Sequence, residues 1–403
     1  MCFAFTHVGE PGNQRLQRIT ALDDNGDASK TVPDFVHEHG FKFEEHKVTT
    51  EDGYVLTLWR INRGLGLPLI LQHGVMDTAY TFLLSGGRRC PAFYFARKGY
   101  DVWMPNSRGQ TYSLEHNKGY KWYFPFSKFW DFTFYDMAQY DFPSIIDYMK
   151  NVTGYSKVSY VGHSQGTTTY LTKAGLDPDF VNDNINAFIA LGPALYINPK
   201  DSDAVDLISN KIPVFDWMNK IKFNYFWVLP EWILKLTEPF CRRFPEIYHE
   251  LVPFIGGHTK RMNFDIRRWP SLCTKMPGGT SIKNLLHWIQ IIRAGGRFQM
   301  FDYGAEKNMK IYQQETPKEY DLSGLKKITV PTLVVSGTKD ALITEESIRK
   351  VMKTLRNGNQ DQVIESMELE DYAHMDFIWG KDCIKRLYPH IDRFIKRALK
   401  ESD

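Results

Sequence analysis

The segment Lys157-Val158-Ser159-Tyr160-Val161-Gly162-His163-Ser164-Gln165-Gly166 constrains this chain more than any other. A short run of strand composition enters G-x-S-x-G directly, and a stretch of helical composition from Thr167 to Ala174 leaves it. The pattern alone arises by chance in roughly one chain in ten of this length. Between a strand and a helix it acquires a mechanical meaning: the two glycines allow a turn too tight for side chains, and the turn lifts the serine hydroxyl above the strand end.

The rest of the sequence repeats the strand and helix alternation. Tyr54–Ile61, Pro68–Gln72, Tyr100–Pro105, Ala187–Leu191, Ile328–Val335 and Gln362–Leu369 read as strands, most of them nearly continuous in apolar residues. Helical spacing appears from Thr133 to Lys150, with a kink or late start at Pro143, from Glu345 to Leu355, and in a closing stripe from Ile384 to Leu399. Buried strands separated by helices predict an α/β fold with a mostly parallel sheet covered on both faces. The alternation lapses where aromatics, prolines and basic residues crowd together, most densely from Phe215 to Tyr248. The expected organisation is a flexible extension at 1–31, a core from 32–195 and 320–403, and a mainly helical cap inserted at 196–319.

A serine hydroxyl is a weak nucleophile that needs a base, and the base needs an orienting group. Asp340 ends the segment Ser336–Asp340 that directly follows the Ile328–Val335 strand and His374 ends the segment Glu370–His374 that directly follows the Gln362–Leu369 strand, which puts both on the sheet edge that carries Ser164. Glu370 and Asp376 are the lesser candidates for the acid. Donors for an oxyanion would be the amide of Gln165, beside the nucleophile, and that of Val75, in the His73-Gly74-Val75 loop after an early strand. His73 and His163 read as packing or loop histidines.

Composition narrows the alternatives. Lys and Arg total 50 against 47 Asp and Glu, a net charge of +3 without long runs of either sign, so no nucleic-acid partner is indicated. The five cysteines are scattered and odd in number; they show no metal spacing or disulfide framework, and the expectation is small buried apolar side chains. The N-terminal MCFAFTHVGEPGNQ does not read as a secretory signal, and no stretch of about 18 apolar residues predicts a membrane span. Asn151-Val152-Thr153 is a glycosylation sequon, relevant only on a secretory route. The compartment is left open.

With these residues assembled, the chain resembles the acid lipase family of gastric, lingual and lysosomal lipases. The likeness rests on Leu71-Gln72-His73-Gly74, Asp101–Met104 with Asn106-Ser107-Arg108-Gly109, Val161–Thr168, Asn284-Leu285-Leu286-His287-Trp288 and His374–Gly380, from about Pro33 to the C-terminus. The resemblance implies an α/β-hydrolase fold and hydrolysis of triacylglycerols or cholesteryl esters without metal or organic cofactor. It implies Ser164 as nucleophile, Asp340 as acid, His374 as base and the Val75 and Gln165 amides as oxyanion donors. It also implies a cysteine pair in the cap of secreted members, of which Cys241 is the one found here. A lipid ester at a lipid–water interface or droplet surface is the expected partner, with the aromatic stretch as a cover that opens or as the cap's own core. A soluble carboxylesterase or acyltransferase, or a non-catalytic lipid-binding protein, are the alternatives. Epoxide hydrolase and dehalogenase chemistry on this fold uses an aspartate at the elbow and is disfavoured by Ser164.

Overall fold

The computed structural model describes residues 26–400 except 63, 65, 125, 202–204, 207, 208, 210, 211, 230, 245–262 and 357–362. Most of the expected N-terminal extension, residues 1–25, lies outside the described residues. Residues 26–31, assigned to the same extension, belong to the body: Ala28 is fully buried, and Asp27 forms an ion pair with buried Arg268.

The main sheet runs in the order β1 (Lys42–Thr49), β2 (Tyr54–Asn62), β4 (Tyr100–Pro105), β3 (Leu67–Gln72), β6 (Val158–His163), β7 (Ile185–Leu191), β10 (Thr332–Gly337) and β11 (Ile364–Leu369), with β5 (Glu115–His116) also on β2. β1, β2 and β4 are antiparallel neighbours, and every pairing from β4 to β11 is parallel. The central strands are buried at almost every position, as their unbroken apolar runs predict. β1 had no such signal. Its sequence KFEEHKVT belongs to an edge strand with a largely solvated face, and it is set by its hairpin register with β2.

Strand order reverses between β3 and β6, so the loops leaving their carboxyl ends diverge and open a crevice there. The register opposes Gln72 to Gly162 across this switch point, placing the loop after His73 beside the elbow.

Two helices depart from expectation. The stretch from Thr133 begins with a capping box, passes through a π turn over Met137–Asp141 and continues as Phe142–Thr153. In the π turn the Phe142 amide donates to the Met137 carbonyl, and Pro143, with no amide hydrogen to donate, follows at once. The closing stripe is broken at Leu387 into Cys383–Arg386 and Tyr388–Lys400.

Between β7 and β10 no described residue joins the main sheet. The chain forms helices including Ile212–Lys220, Glu231–Leu236, Glu238–Arg243, Trp269–Lys275 and Ile282–Arg293, and a two-stranded ribbon of β8 (Tyr225–Phe226) with β9 (Thr280–Ser281). Cys241 is disulfide-bonded to Cys273, across a separation of 32 residues. This corrects the reading of all cysteines as free thiols; the pair is too far apart in sequence to show a motif, and is brought together by Glu238–Arg243 lying against Trp269–Lys275. Cys90 and Cys383 are free and buried, as expected.

Arg108, in the loop after β4, ties three elements together. Its guanidinium donates to both oxygens of Asp52 at 2.6 and 2.9 Å and to Asp141 of the π turn at 2.6 and 2.8 Å, and it lies 4.0 Å from the centre of the Tyr54 ring. Burial pushes the Asp141 pKa up to about 6 although the Arg108 charge pulls it down. Arg108→Met leaves two carboxylates without their cation, and a loss of about 3–5 kcal/mol in urea-unfolding stability is expected; an unchanged midpoint would show that the cluster is not structural.

Candidate active site

Ser164 alone separates β6 from the helix Gln165–Leu176, and it holds φ 52°, ψ −122°. A non-glycine residue in that region costs on the order of 1–3 kcal/mol, so the surroundings must impose it. The Ser164 amide donates to the Leu191 carbonyl at the end of β7, 3.0 Å away. A Cβ on Gly162 would lie 2.9 Å from the Gly166 backbone, and one on Gly166 only 2.6 Å from the Gln72 carbonyl oxygen. The turn closes against β3 because both positions are glycine.

His374 and Asp340, from the loops after β11 and β10, are brought together: His374 Nδ1 lies 2.8 Å from Asp340 Oδ2. The other carboxylate oxygen accepts from the Leu342 and Ile343 amides at 2.9 and 2.8 Å, so both oxygens are fixed. With Nδ1 donating to the carboxylate, Nε2 carries a free lone pair, and this buried atom has no hydrogen-bond partner among the described residues. The ring lies against Gly192, where a Cβ would come within 3.2 Å of it. Gly192 follows Leu191, which holds the Ser164 amide, so imidazole and serine are referenced to adjacent residues of one strand end. Of the lesser acid candidates, Asp376 accepts from the Ala373 amide and Glu370 is exposed; the His374 ring bonds to neither.

The two histidines read as packing residues have definite tasks. His163 Nε2 donates to the His374 carbonyl at 2.8 Å, and burial holds its pKa well below the ordinary histidine value, so it serves as a neutral strut. The Ser107 amide donates to His73 Nε2 at 3.2 Å, which leaves the proton on Nδ1, where it is donated to the Gly74 carbonyl at 2.8 Å. Burial lowers the His73 pKa to about 4, preserving this neutral tautomer. In a trans peptide C=O and N–H point oppositely. Anchoring the Gly74 carbonyl on His73 therefore aims the Val75 amide away from His73, and no acceptor among the described residues takes it. The following residue, Met76, is held at φ 58°.

Gln165 is the first residue of its helix, so its amide has no partner within the helix. Its side chain reaches the inserted region, where Oε1 accepts from Asn284 Nδ2 at 2.9 Å and from Trp288 Nε1 at 2.7 Å. Asn284 Oδ1 in turn accepts from the Phe134 amide at 2.8 Å. Neither residue was singled out for such a role from the sequence; the available signal was two side-chain donors four positions apart on one helix face. The assembled groups are an oriented imidazole with a bare nitrogen, a serine on a strained turn and two undonated amides, the equipment for acyl transfer.

A family model described as the alpha/beta hydrolase fold matches residues 68–381, and one described as a partial alpha/beta-hydrolase lipase region matches 32–86. Gastric triacylglycerol lipase of Bos taurus is 34% identical over 91% of this chain and 91% of its own length. Lipase 1 of Drosophila melanogaster is 32% identical over 94% of this chain and 82% of its own. Lipase member K of Homo sapiens is 30% identical over 93% of each. Among solved structures, a bacterial membrane phospholipase A superposes with a TM-score of 0.52 at 13% identity, covering 90% of this chain and 88% of that one, a likeness of fold alone.

Asp77, two residues beyond Val75, is buried, and burial raises its pKa to about 7 from 3.8 although the Thr78 amide bonded to Oδ1 at 2.7 Å pulls it down. A carboxyl held above its unfolded value contributes stability that is complete at low pH and is lost as pH rises through the folded value. The difference in melting temperature between Asp77→Asn and the native protein is therefore expected to move in favour of the variant from about pH 4 to pH 7 and to stay constant above. A difference that does not change with pH would mean that Asp77 is ionised in the folded state.

Proposed function

Because the chain belongs to the α/β-hydrolase fold family, we propose that it is a lipase that cleaves the carboxylic ester bonds of neutral lipids, triacylglycerols or steryl esters, with Ser164, His374 and Asp340 as its triad. The observation that carries this reading is the Asp340–His374 contact, which orients the buried imidazole and leaves its Nε2 without a partner among the described residues. Ser164 Oγ attacks the ester carbonyl as its proton passes to Nε2. The Gln165 and Val75 amides receive the oxyanion, His374 returns the proton to the departing alcohol, and water activated by the same nitrogen hydrolyses the acyl-enzyme.

Relatives named as lipases support a lipid ester, and so does the surface of the inserted region. Phe215 and Phe226 pack on Ile282, Leu286 and Phe301, forming a small core. Trp217, Trp232 and Leu236 instead stand 59, 65 and 70% exposed, large apolar side chains suited to a lipid–water interface. The aromatic stretch thus supplies both a core and exposed apolar side chains.

A series of esters from short soluble chains to emulsified triolein and cholesteryl oleate tests the reading. Long-chain emulsions should be cleaved, with Ser164→Ala losing on the order of 10⁴-fold or more and Asp340→Asn a comparable factor. Activity confined to short soluble esters would make this a carboxylesterase, and no Ser164-dependent activity on any ester would leave only lipid binding. Trp217→Ser with Trp232→Ser is expected to slow emulsion hydrolysis severalfold while sparing a short ester; equal loss on both would remove the interfacial role.

A further inference from the structure

Outside the inserted region, the core carries one aromatic segment that neither the triad nor the packing explains. Residues 117–128 read NKGYKWYFPFSK, and within them Tyr123, Phe124 and Phe126 are 53, 57 and 64% exposed. Among the described residues, every exposed aromatic side chain lies either here or between Trp217 and Phe244. Solvating three large rings has a cost that the interior does not require, because the neighbouring Phe129 and Trp130 are fully buried and already fill the space below.

The segment is held in shape. The Phe124 amide donates to the Lys121 carbonyl at 3.3 Å, Ser127 to Phe124 at 3.0 Å, and the Trp130 indole to the Trp122 carbonyl at 2.7 Å. The Trp130 ring in turn lies 5.4 Å from Tyr225, two residues before exposed Trp227. Trp130 thus ties the base of this segment to the ribbon strand that leads to Trp227.

The charges are equally one-sided. Lys118, Lys121 and Lys128 are exposed, and none meets a carboxylate among the described residues. The flanking acids are engaged elsewhere, Glu115 with Lys47 at 3.0 Å and Asp131 with Lys283 at 2.6 Å. Although the chain as a whole is nearly neutral, this tip presents cations around aromatic rings. Rings that insert at headgroup depth, ringed by lysines that meet anionic headgroups, suit the surface of a lipid phase bearing negative charge.

We propose that residues 117–124 and 126–128 form a second, core-borne anchor that docks the protein on anionic lipid surfaces, in addition to the exposed apolar side chains of the inserted region. This deepens the lipase reading and rests on it for the nature of the substrate phase. Each lysine near such a surface is worth roughly fivefold in affinity.

The test is cosedimentation of the full-length Ser164→Ala protein, which leaves lipid intact, with vesicles of phosphatidylcholine alone or with about one third phosphatidylserine. Binding to the anionic vesicles is expected to be at least tenfold tighter, and weaker in high salt. Lys118→Glu/Lys121→Glu/Lys128→Glu should abolish the preference, and Phe124→Ser/Phe126→Ser should weaken binding to both vesicle types. Made with Ser164 intact, both variants should hydrolyse a short soluble ester at the native rate, which reports that they fold. Equal binding to neutral and anionic vesicles would overturn the proposal, as would a charge-reversed variant that keeps the preference or an aromatic variant that binds like its parent. Cleavage of emulsions without an anionic preference would sink the anchor alone; an anionic preference in a protein inactive on every ester would sink the lipase reading and leave the anchor.

Discussion

Everything at this site is referenced to a backbone conformation that the chain would not adopt unaided. Ser164 is held at φ 52° by a bond from its amide to Leu191, by the helix that begins at the next residue, and by two glycines whose neighbours leave no room for a Cβ, which would fall within 3 Å of backbone atoms. The strain, on the order of 1–3 kcal/mol, is sustained only because β3, β6 and β7 are locked side by side. The same three strand ends supply the His73–Val75 loop, the elbow and the Gly192 seat of the His374 ring, so one local distortion and the parallel sheet presuppose each other.

Most of the sheet and the sequence order of Ser164, Asp340 and His374 were legible, because buried parallel strands write themselves as apolar runs and polar residues at their ends stand out. What escaped depended on contacts between segments distant in sequence. β1 is polar because it lies at an edge; Cys241 and Cys273 meet only through helix packing; Asp27 and Ala28 look like solvent-facing turn residues until Arg268 is placed beside them. The π turn at Met137–Asp141 was visible only as a suspicion about Pro143. The duties of His73 and His163 could not be read locally either, since each is defined by the carbonyl it reaches.

The inserted region, covalently continuous with β7 and β10, is joined to the elbow by side chains. Asn284 holds the Phe134 amide with one end and Gln165 with the other, while Trp288 supplies the second donor to the same amide oxygen. The helix Ile282–Arg293 therefore belongs mechanically with the sheet, although in sequence it lies among the elements that decorate it.

This arrangement restricts what the pentapeptide can spell. In the general pattern the letter after serine is free, but here position 165 must present a neutral oxygen to two buried donors. Leucine would strand both of them, and glutamate would set a formal negative charge behind the amide proposed to receive the oxyanion. The choice at that letter thus falls to glutamine by the demands of a helix more than a hundred residues downstream, and relatives that change one would be expected to rewrite the other.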